Sequence, residues 1–582
     1  MTTETKTCQN CKQSFTIEPD DFDFYEKIKV PPPRWCPRCR QMRRYAWRNE
    51  RVLYRRDCDL CGKSIVTIYS ENKPYKIYCP SCWWSDKWSG ADYARDFDFS
   101  RPFFEQFGEL QLQAPRIALL TKNSVNSDYT NHSSDNRNCY LCFGSFESEN
   151  LMYSANMWGG QKKDSSDCYR VYGPGELLYE LIDSERCYRC QFGIRLRDCV
   201  DCFYSYDCSG CSNCFLSFNL RSKQYYILNQ PYSKEEYSKK IQEYRLGSFA
   251  ERQKLYDQFV LLVKQKALHR FAVIEKSTDV SGNMITNSRN AHHVFDGDNL
   301  EDIKYATLCT GMKSSMDFYH VGLNCELIYE GHGMIHDYDV LFTHLSYDNS
   351  HLQYCDSCHN SENLFGCVSV KQGKYCILNK PYSEAEYHSL KARIIEHMRK
   401  TGEYGEFFPA ELSPFGYNET QGQIYMPLSK EEVQKLGWKW KEKVPGTFGK
   451  ETIKPEQIPD NVRDVADSIV NEILVCTKCK KNFNVIKPEL DLYRRENIPI
   501  PRLCSDCRYK RRIGLRPPRE LWHRICACKG LSAASNARQV TYRNTVAHFH
   551  GGEPCPNEFE TPYAPERPEI IYCEPCYQVE VA

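Results

Sequence analysis

Sixteen of the 33 cysteines fall into four sets that a tetrahedral metal could close, and this constrains the chain more than any other feature. Cys8, Cys11, Cys36 and Cys39 make one CxxC…CxxC set, and Cys58, Cys61, Cys79 and Cys82 make a second directly after it. Zinc takes four soft ligands, and each CxxC turn supplies two of them. A shift of 468 residues carries the first set onto Cys476, Cys479, Cys504 and Cys507, with Phe15, Tyr25, Pro31, Pro33 and Arg34 falling on Phe483, Tyr493, Pro499, Pro501 and Arg502. The same shift brings Cys58 to Cys526 but puts Lys529 where Cys61 should fall. A 26-residue insertion restores the match, because at an offset of 494 Cys61, Cys79 and Cys82 land on Cys555, Cys573 and Cys576. Cys528 could replace Cys526, and His548 and His550 are further candidate ligands within the insertion. Four closed sites predict four structural zinc ions, with no position left open for a reacting water. Cysteines used this way fit a reducing compartment. The N-terminus lacks a signal-peptide pattern and no apolar run reaches about 18 residues, so the expected location is cytoplasmic, away from membranes.

The stretch Cys8-x-x-Cys11, Phe15, Phe24-Tyr25 and Pro33-Arg34-Trp35-Cys36-Pro37-Arg38-Cys39-Arg40 resembles the probable zinc-binding domain of treble-clef type found in small bacterial proteins. The C-terminal copy departs from that pattern at Ser505, where the family has proline. The chain as a whole is similar to uncharacterised multi-ribbon proteins predicted from reduced bacterial genomes, which brings no activity with it. In a treble clef the second knuckle opens a helix. Here that segment carries Arg40, Arg44, Arg48, Arg51 and Arg55 at spacings that share one helical face, with Arg508, Arg512, Arg516 and Arg519 in the second copy. Pro517 and Pro518 should end the second helix early. Guanidinium groups near a helix start suit phosphate, and Tyr45, Trp47 and Tyr54 could stack on bases. The opposing expectation is that the arginines pair with carboxylates such as Asp20, Asp21 and Asp23 or stay solvated. A net charge of +1 supplies no global field toward nucleic acid.

The middle of the chain repeats every 12 residues. CYRC, CVDC and CSNC begin at Cys187, Cys199 and Cys211, and a second array places Met316, Ile328, Val340, Leu352, Leu364 and Cys376 at the same step. The arrays correspond at an offset of 150: YYILNQPYSKEEY from Tyr225 matches YCILNKPYSEAEY from Tyr375, Tyr179-Glu180 matches Tyr329-Glu330, and Asp167 matches Asp317. Short apolar segments ending in Asp, Asn, Ser or Gly read as strand and turn, and two units per coil would give a rung of about 24 residues in a right-handed parallel β-solenoid. Ser233 and Ser383 start capped helices that would close the ends. Cys187 and Cys190 would then lie one rung from Cys211 and Cys214, either as stacked core thiols or as a further metal site. His292, His293, His332 and His336 stay unassigned.

The predicted fold class is mainly β, with two duplicated solenoid-like modules flanked by tandem zinc ribbons. The expected divisions are ribbons over 1–90, a module with its capping helix over 126–247, a helical connector over 248–277, a second module over 278–405, a helix-and-loop region with linker over 406–475, and ribbons again over 476–582. The expected function is a non-enzymatic zinc-binding scaffold that meets RNA, a ribonucleoprotein or DNA through the arginine stripes. The rivals are a carbohydrate-active or carbohydrate-binding β-helix protein and a protein-interaction hub.

Overall fold

Strands pair in parallel with partners 12 residues along the chain: Tyr179 lies beside Gln191, Gln191 beside Phe203, Phe203 beside Phe215 and Phe215 beside Ile227. The second array does the same through Ile328, Val340, Leu352, Leu364 and Cys376. This computed structural model describes residues 2–157, 162–171, 175–176, 179–184, 189–528, 544–551, 553 and 555–581, and it is built mostly of strands, with one 13-stranded sheet. The expected rung of about 24 residues is corrected to 12. Leu341, His344, Tyr347 and Ser350 each pair with the residue 12 further on, so four short sides complete one turn. One expected anchor also slips. Met316 lies beside Tyr329 rather than Ile328, because the strand Lys313–Leu323 holds an extra residue after it, between Tyr319 and Gly322, and the step of 12 returns only at Gly322 beside Met334.

Such short sides demand a sharp corner at every third residue, and the backbone supplies it with positive φ. Phe342, Leu345, Asp348, His351 and Tyr354 all have φ between 52° and 58°. That left-handed conformation is uncommon outside glycine, and Asn and Asp adopt it most readily, which explains their abundance here. The interior takes mostly cysteine and aliphatic side chains, with Phe318 and methionines among them in the second array. Cys139, Cys142, Cys190, Cys199, Cys202, Cys211 and Cys214 fill it in one array, alongside Leu151, Leu181 and Leu196. Their thiols point at nearby carbonyls, as Cys199 Sγ does toward Arg197 O at 3.3 Å. Cys202 pairs directly with Cys214, so Cys190 is one step from Cys202 and two from Cys214. Cys187 lies outside the described residues.

Buried amides hold adjacent turns together. Asn349 donates through Nδ2 to Tyr347 O at 2.8 Å and Cys358 O at 3.0 Å, and its Oδ1 accepts from Ser361 N at 2.8 Å. Asp337 occupies the same place one turn earlier, accepting from Asn349 N at 2.9 Å. Burial pushes its carboxyl up to about 7, against the pull of those donors. The folded chain therefore keeps a proton that the unfolded chain releases near pH 4, and stability is lost as pH rises from about 4 through 7. Asp337→Asn supplies the amide used at position 349. It is expected to remove that pH dependence and to add roughly 1–3 kcal/mol at pH 8. Urea unfolding at pH 5 and pH 8 checks this, and an equal gain at both would contradict it.

The chain forms two units, neither of them continuous in sequence. The first comprises Met1–Leu119, Ala272–Val444 and Arg519–Leu521, and the second Leu120–Phe271, Pro445–Pro518 and Trp522–Ala582. The N-terminal cysteine sets thus belong with the later array, and the C-terminal sets with the earlier one. The helices Lys234–Glu243 and Glu384–Thr401 follow the last strands, each opened by a capping box, Ser233 with Glu236 and Ser383 with Glu386. Phe249–Gln265 is a further helix of the second unit.

Candidate metal centres and the arginine network beside them

Each cysteine set is brought together by a short hairpin and a helix start. The strands Glu4–Thr7 and Ser14–Ile17 flank Cys8 and Cys11, and Cys36 is the N-cap of the helix Pro37–Tyr45. The next set repeats this with Tyr54–Asp57, Ser64–Thr67 and Cys79 at the start of Pro80–Trp83. Cys504 caps Ser505–Ile513 in the same manner. In all four sets the sulfurs lie within 4.8 Å of one another. Cys11 and Cys36 are 3.8 Å apart, Cys479 and Cys504 3.6 Å, and Cys555 and Cys573 3.7 Å. These match the ~3.8 Å edge of a tetrahedron built on Zn–S bonds of ~2.3 Å. The third cysteine's amide donates to the first cysteine's sulfur at 3.2 Å in the pairs Cys36–Cys8 and Cys79–Cys58, and at 3.3 Å in Cys573–Cys526. That is the bond a ligating thiolate needs to spread its charge. The donor chemistry fits zinc, and with four protein ligands per site the ion would be structural.

At the split set, Cys526, Cys555, Cys573 and Cys576 form one group of four, while Cys528, His550, Cys555 and Cys576 form another. His548 lies apart from both groups, its Nε2 2.9 Å from Glu580 Oε1. Among the described residues, no internal cysteine of the two arrays joins a group of three or more candidate ligands.

Five of the nine arginines expected to face phosphate are corrected to interior residues. Arg40, Arg44 and Arg48 are at most 1% exposed, Arg508 is 2% and Arg512 is 1%. In the first unit Asp317 takes Arg40 at 2.7 Å and Arg44 at 3.0 Å, while Glu330 takes Arg43 and Arg44, both at 2.7 Å. Arg43 also meets Glu406 at 2.9 Å, so three buried guanidiniums face three carboxylates, with the more exposed Arg34 joining them at Glu406. Burial alone would raise Glu406, but Arg43 and Arg34 beside it pull its carboxyl below the usual range. In the second unit Asp167 takes Arg508 at 3.0 Å and Arg512 at 2.7 Å, Glu180 takes Arg511, and Glu489 lies 3.4 Å from Arg508.

These partners agree with both sequence offsets at once. Arg40, Arg43 and Arg44 become Arg508, Arg511 and Arg512 at 468, while Asp317 and Glu330 become Asp167 and Glu180 at 150. The contact itself is therefore repeated. Beyond the helix the copies diverge. Arg48 lies against Glu50, His320 and His332, whereas Arg516 pairs with Asp183 at 2.9 Å. Arg519 meets Asp296 at 2.9 Å and stacks on Tyr425. The helix ends at Tyr45, so Arg51 and Arg55 lie outside the expected stripe, Arg51 half-buried in a loop and Arg55 exposed on a strand. The expected stacking surface is also interior. Trp47 is buried against Phe407 and Phe408, Tyr45 against Tyr319, and the Tyr54 hydroxyl donates to Glu419.

A second contact binds each array to the other cysteine set. Ile77 pairs with Arg116, which reaches Asp356 at 2.6 Å; His344 and Gln111 each lie 2.9 Å from the same carboxylate. At the offset of 494, Ile571 pairs with His269, whose Nδ1 lies 2.7 Å from the Tyr206 hydroxyl. Tyr206 stands 150 residues before Asp356, so a buried ion pair in one unit is a neutral hydrogen bond in the other. Accordingly His269 is held neutral, its pKa lowered to about 4 by burial. The unassigned histidines are dispersed: His292 lies 3.7 Å from Asp279, His293 stacks on Tyr305, and His336 lies 3.1 Å from Asp348.

The carboxylates facing the arginines were absent from the sequence-derived site, although the pairing of Asp167 with Asp317 and Glu180 with Glu330 across the arrays was a usable signal. No family model and no curated protein matches the chain. Among solved structures, a "putative acetyltransferase" from Desulfovibrio desulfuricans G20 matches over 46% of this chain and 69% of its own, at 9% identity and a TM-score of 0.10, a likeness too weak to carry any argument. No helix among the described residues is long and apolar enough to cross a membrane.

Proposed function

We propose that the chain is a non-enzymatic scaffold in which two duplicated β-solenoids are each clamped by a pair of zinc-bearing treble-clef ribbons. The observation that carries this reading is the repeated set of buried arginine–carboxylate contacts, matched at both offsets in both units. Zinc fixes the ribbon, the ribbon presents its helix, and the helix binds the solenoid. Arg40, Arg44, Arg508 and Arg512, four of the arginines that suggested RNA, a ribonucleoprotein or DNA, are taken up by this clamp, which favours recognition of protein partners by the exposed solenoid sides. Recovery of the full-length protein from its own cells tests this. A protein partner that survives nuclease treatment is expected. Nucleic acid that copurifies and is released steeply by salt would return the phosphate-binding reading.

A carbohydrate ligand is the second reading, favoured by a cleft of about 500 Å³ in the second unit, lined by Tyr129, Tyr140, Asp128, Asp164, Asp491 and Arg495. Asn126, Asn138, Asn150 and Asp164 run along it as a hydrogen-bonded ladder, with steps of 2.9, 3.1 and 2.9 Å. Aromatic rings beside fixed amides suit a sugar's apolar face and hydroxyls. If this reading holds, Tyr140→Ala lowers the affinity for a soluble oligosaccharide at least tenfold in calorimetry. Absence of binding by the parent protein across a panel of neutral and acidic glycans would remove the reading.

A further inference from the structure

The two groups of four at the split cysteine set share Cys555 and Cys576, so together they contain six ligands. We infer that this ribbon holds two zinc ions bridged by the thiolates of Cys555 and Cys576. Cys526 and Cys573 complete one tetrahedron, and Cys528 and His550 complete the other. The inference rests on the zinc reading of the ribbons and adds a fifth ion to the four expected.

The distances around the second tetrahedron are those of a metal site. Cys576 lies 3.7 Å from Cys555, 3.8 Å from Cys528 and 3.5 Å from His550 Nε2, and Cys528 lies 3.2 Å from the same nitrogen. Zn–S bonds of ~2.3 Å and Zn–N bonds of ~2.0–2.1 Å give tetrahedral edges of about 3.8 Å for S···S and about 3.5 Å for S···N. The imidazole is also prepared. His550 Nδ1 lies 2.7 Å from Glu553 O, so the proton sits on Nδ1 and the Nε2 lone pair faces the sulfurs. A histidine in an exposed loop has no need of that orientation.

Charge favours two ions over one that exchanges between alternative ligand sets. With one ion on Cys526, Cys555, Cys573 and Cys576, the fully buried Cys528 and the oriented His550 would stand 3.8 Å and 3.5 Å from Cys576 with no metal to bind. With two ions, five thiolates and a neutral imidazole leave one net negative charge, less than the two left by a single zinc on four cysteines. Simple replacement of Cys526 by Cys528 fits poorly, because Cys573 belongs only to the group containing Cys526. Cys528 and His550 have no counterpart in the N-terminal ribbons. They arrived with the insertion and with a change in the strand-end sequence.

The test is zinc content of the full-length protein by elemental analysis, joined to 113Cd NMR of the cadmium-substituted chain. Five equivalents are expected, with two cadmium resonances split by coupling through shared sulfur. The paired variant Cys528→Ser, His550→Ala should lose one equivalent and the coupling while keeping four. Four equivalents in the parent protein with no coupled pair would overturn the second ion and leave the ribbons intact. Fewer than four would overturn both, and the parent measurement stands whether or not the variant folds.

Discussion

Asp317→Ala is expected to destabilise the first unit by about 3–5 kcal/mol, enough to cancel a large share of a domain's net stability. The side chain is 0% exposed and receives Arg40 and Arg44 together. Truncating it leaves two buried cations with one fewer counter-charge and no route to water, whereas the intact network sets three carboxylates against the three buried guanidiniums. Asp317→Asn keeps the shape but not the charge and should fall between the two. The mirrored substitution Asp167→Ala should produce a similar loss in the second unit, because Arg508 and Arg512 converge there in the same way. Chemical unfolding of the full-length protein, followed by hydrogen exchange to tell the two units apart, provides the measurement. A loss below about 0.5 kcal/mol, the range of ordinary surface changes, would mean that the contact does not hold the ribbon in place.

Zinc removal is expected to have the larger effect. Structural zinc contributes about 10–16 kcal/mol to small ribbons near neutral pH. Each ribbon has short hairpins and a helix of at most nine residues, too little to persist without the metal. A strong chelator should abolish hydrogen-exchange protection of Arg40–Tyr45 and Arg508–Ile513. It should then loosen the first unit further, because Asp317 and Glu330 lose the cations that balance them. The strands from Val340 to Ile377 should keep more protection, since their backbone bonds run between neighbouring turns. If the chelated protein retains full protection in both helices, zinc is not what folds the ribbons.

Much of this was legible in the sequence because its signals are local or periodic. Ligand spacing picked out the four cysteine groups that the fold brings within metal-binding distance, and the serine and glutamate at each cap identified the helices after Ser233 and Ser383. The 12-residue step was readable too, yet the number of steps per turn was not. A rung of about 24 residues assumes ordinary corners, whereas Phe342, Leu345 and Tyr354 adopt a left-handed backbone that bulky residues seldom take. Only the pairing with the next turn holds them there. The arginines were misplaced for a different reason. An amphipathic basic helix looks the same whether its cationic face meets water, phosphate or buried carboxylates, and the deciding residues lie some 270 positions away, as with Arg44 and Asp317. Chain order also concealed that each array belongs with the more distant pair of ribbons. The two offsets, 468 and 150, fit either pairing equally, and the contacts of Arg44 with Asp317 and Arg512 with Asp167 decide it.

Whether these arginine–carboxylate contacts anchor the ribbon helices is measured directly by a double-mutant cycle. Arg512→Met and Asp167→Leu, made singly and together, isolate one contact in the second unit; Arg44→Met and Asp317→Leu do the same in the first. Each double variant is expected to be more stable than the sum of its single losses by about 2–3 kcal/mol, since removing both partners takes away one buried charge that either single change leaves unmatched, while Arg508 keeps Glu489 beside it and Arg40 keeps Glu330. Additivity to within about 0.5 kcal/mol in both units would contradict it.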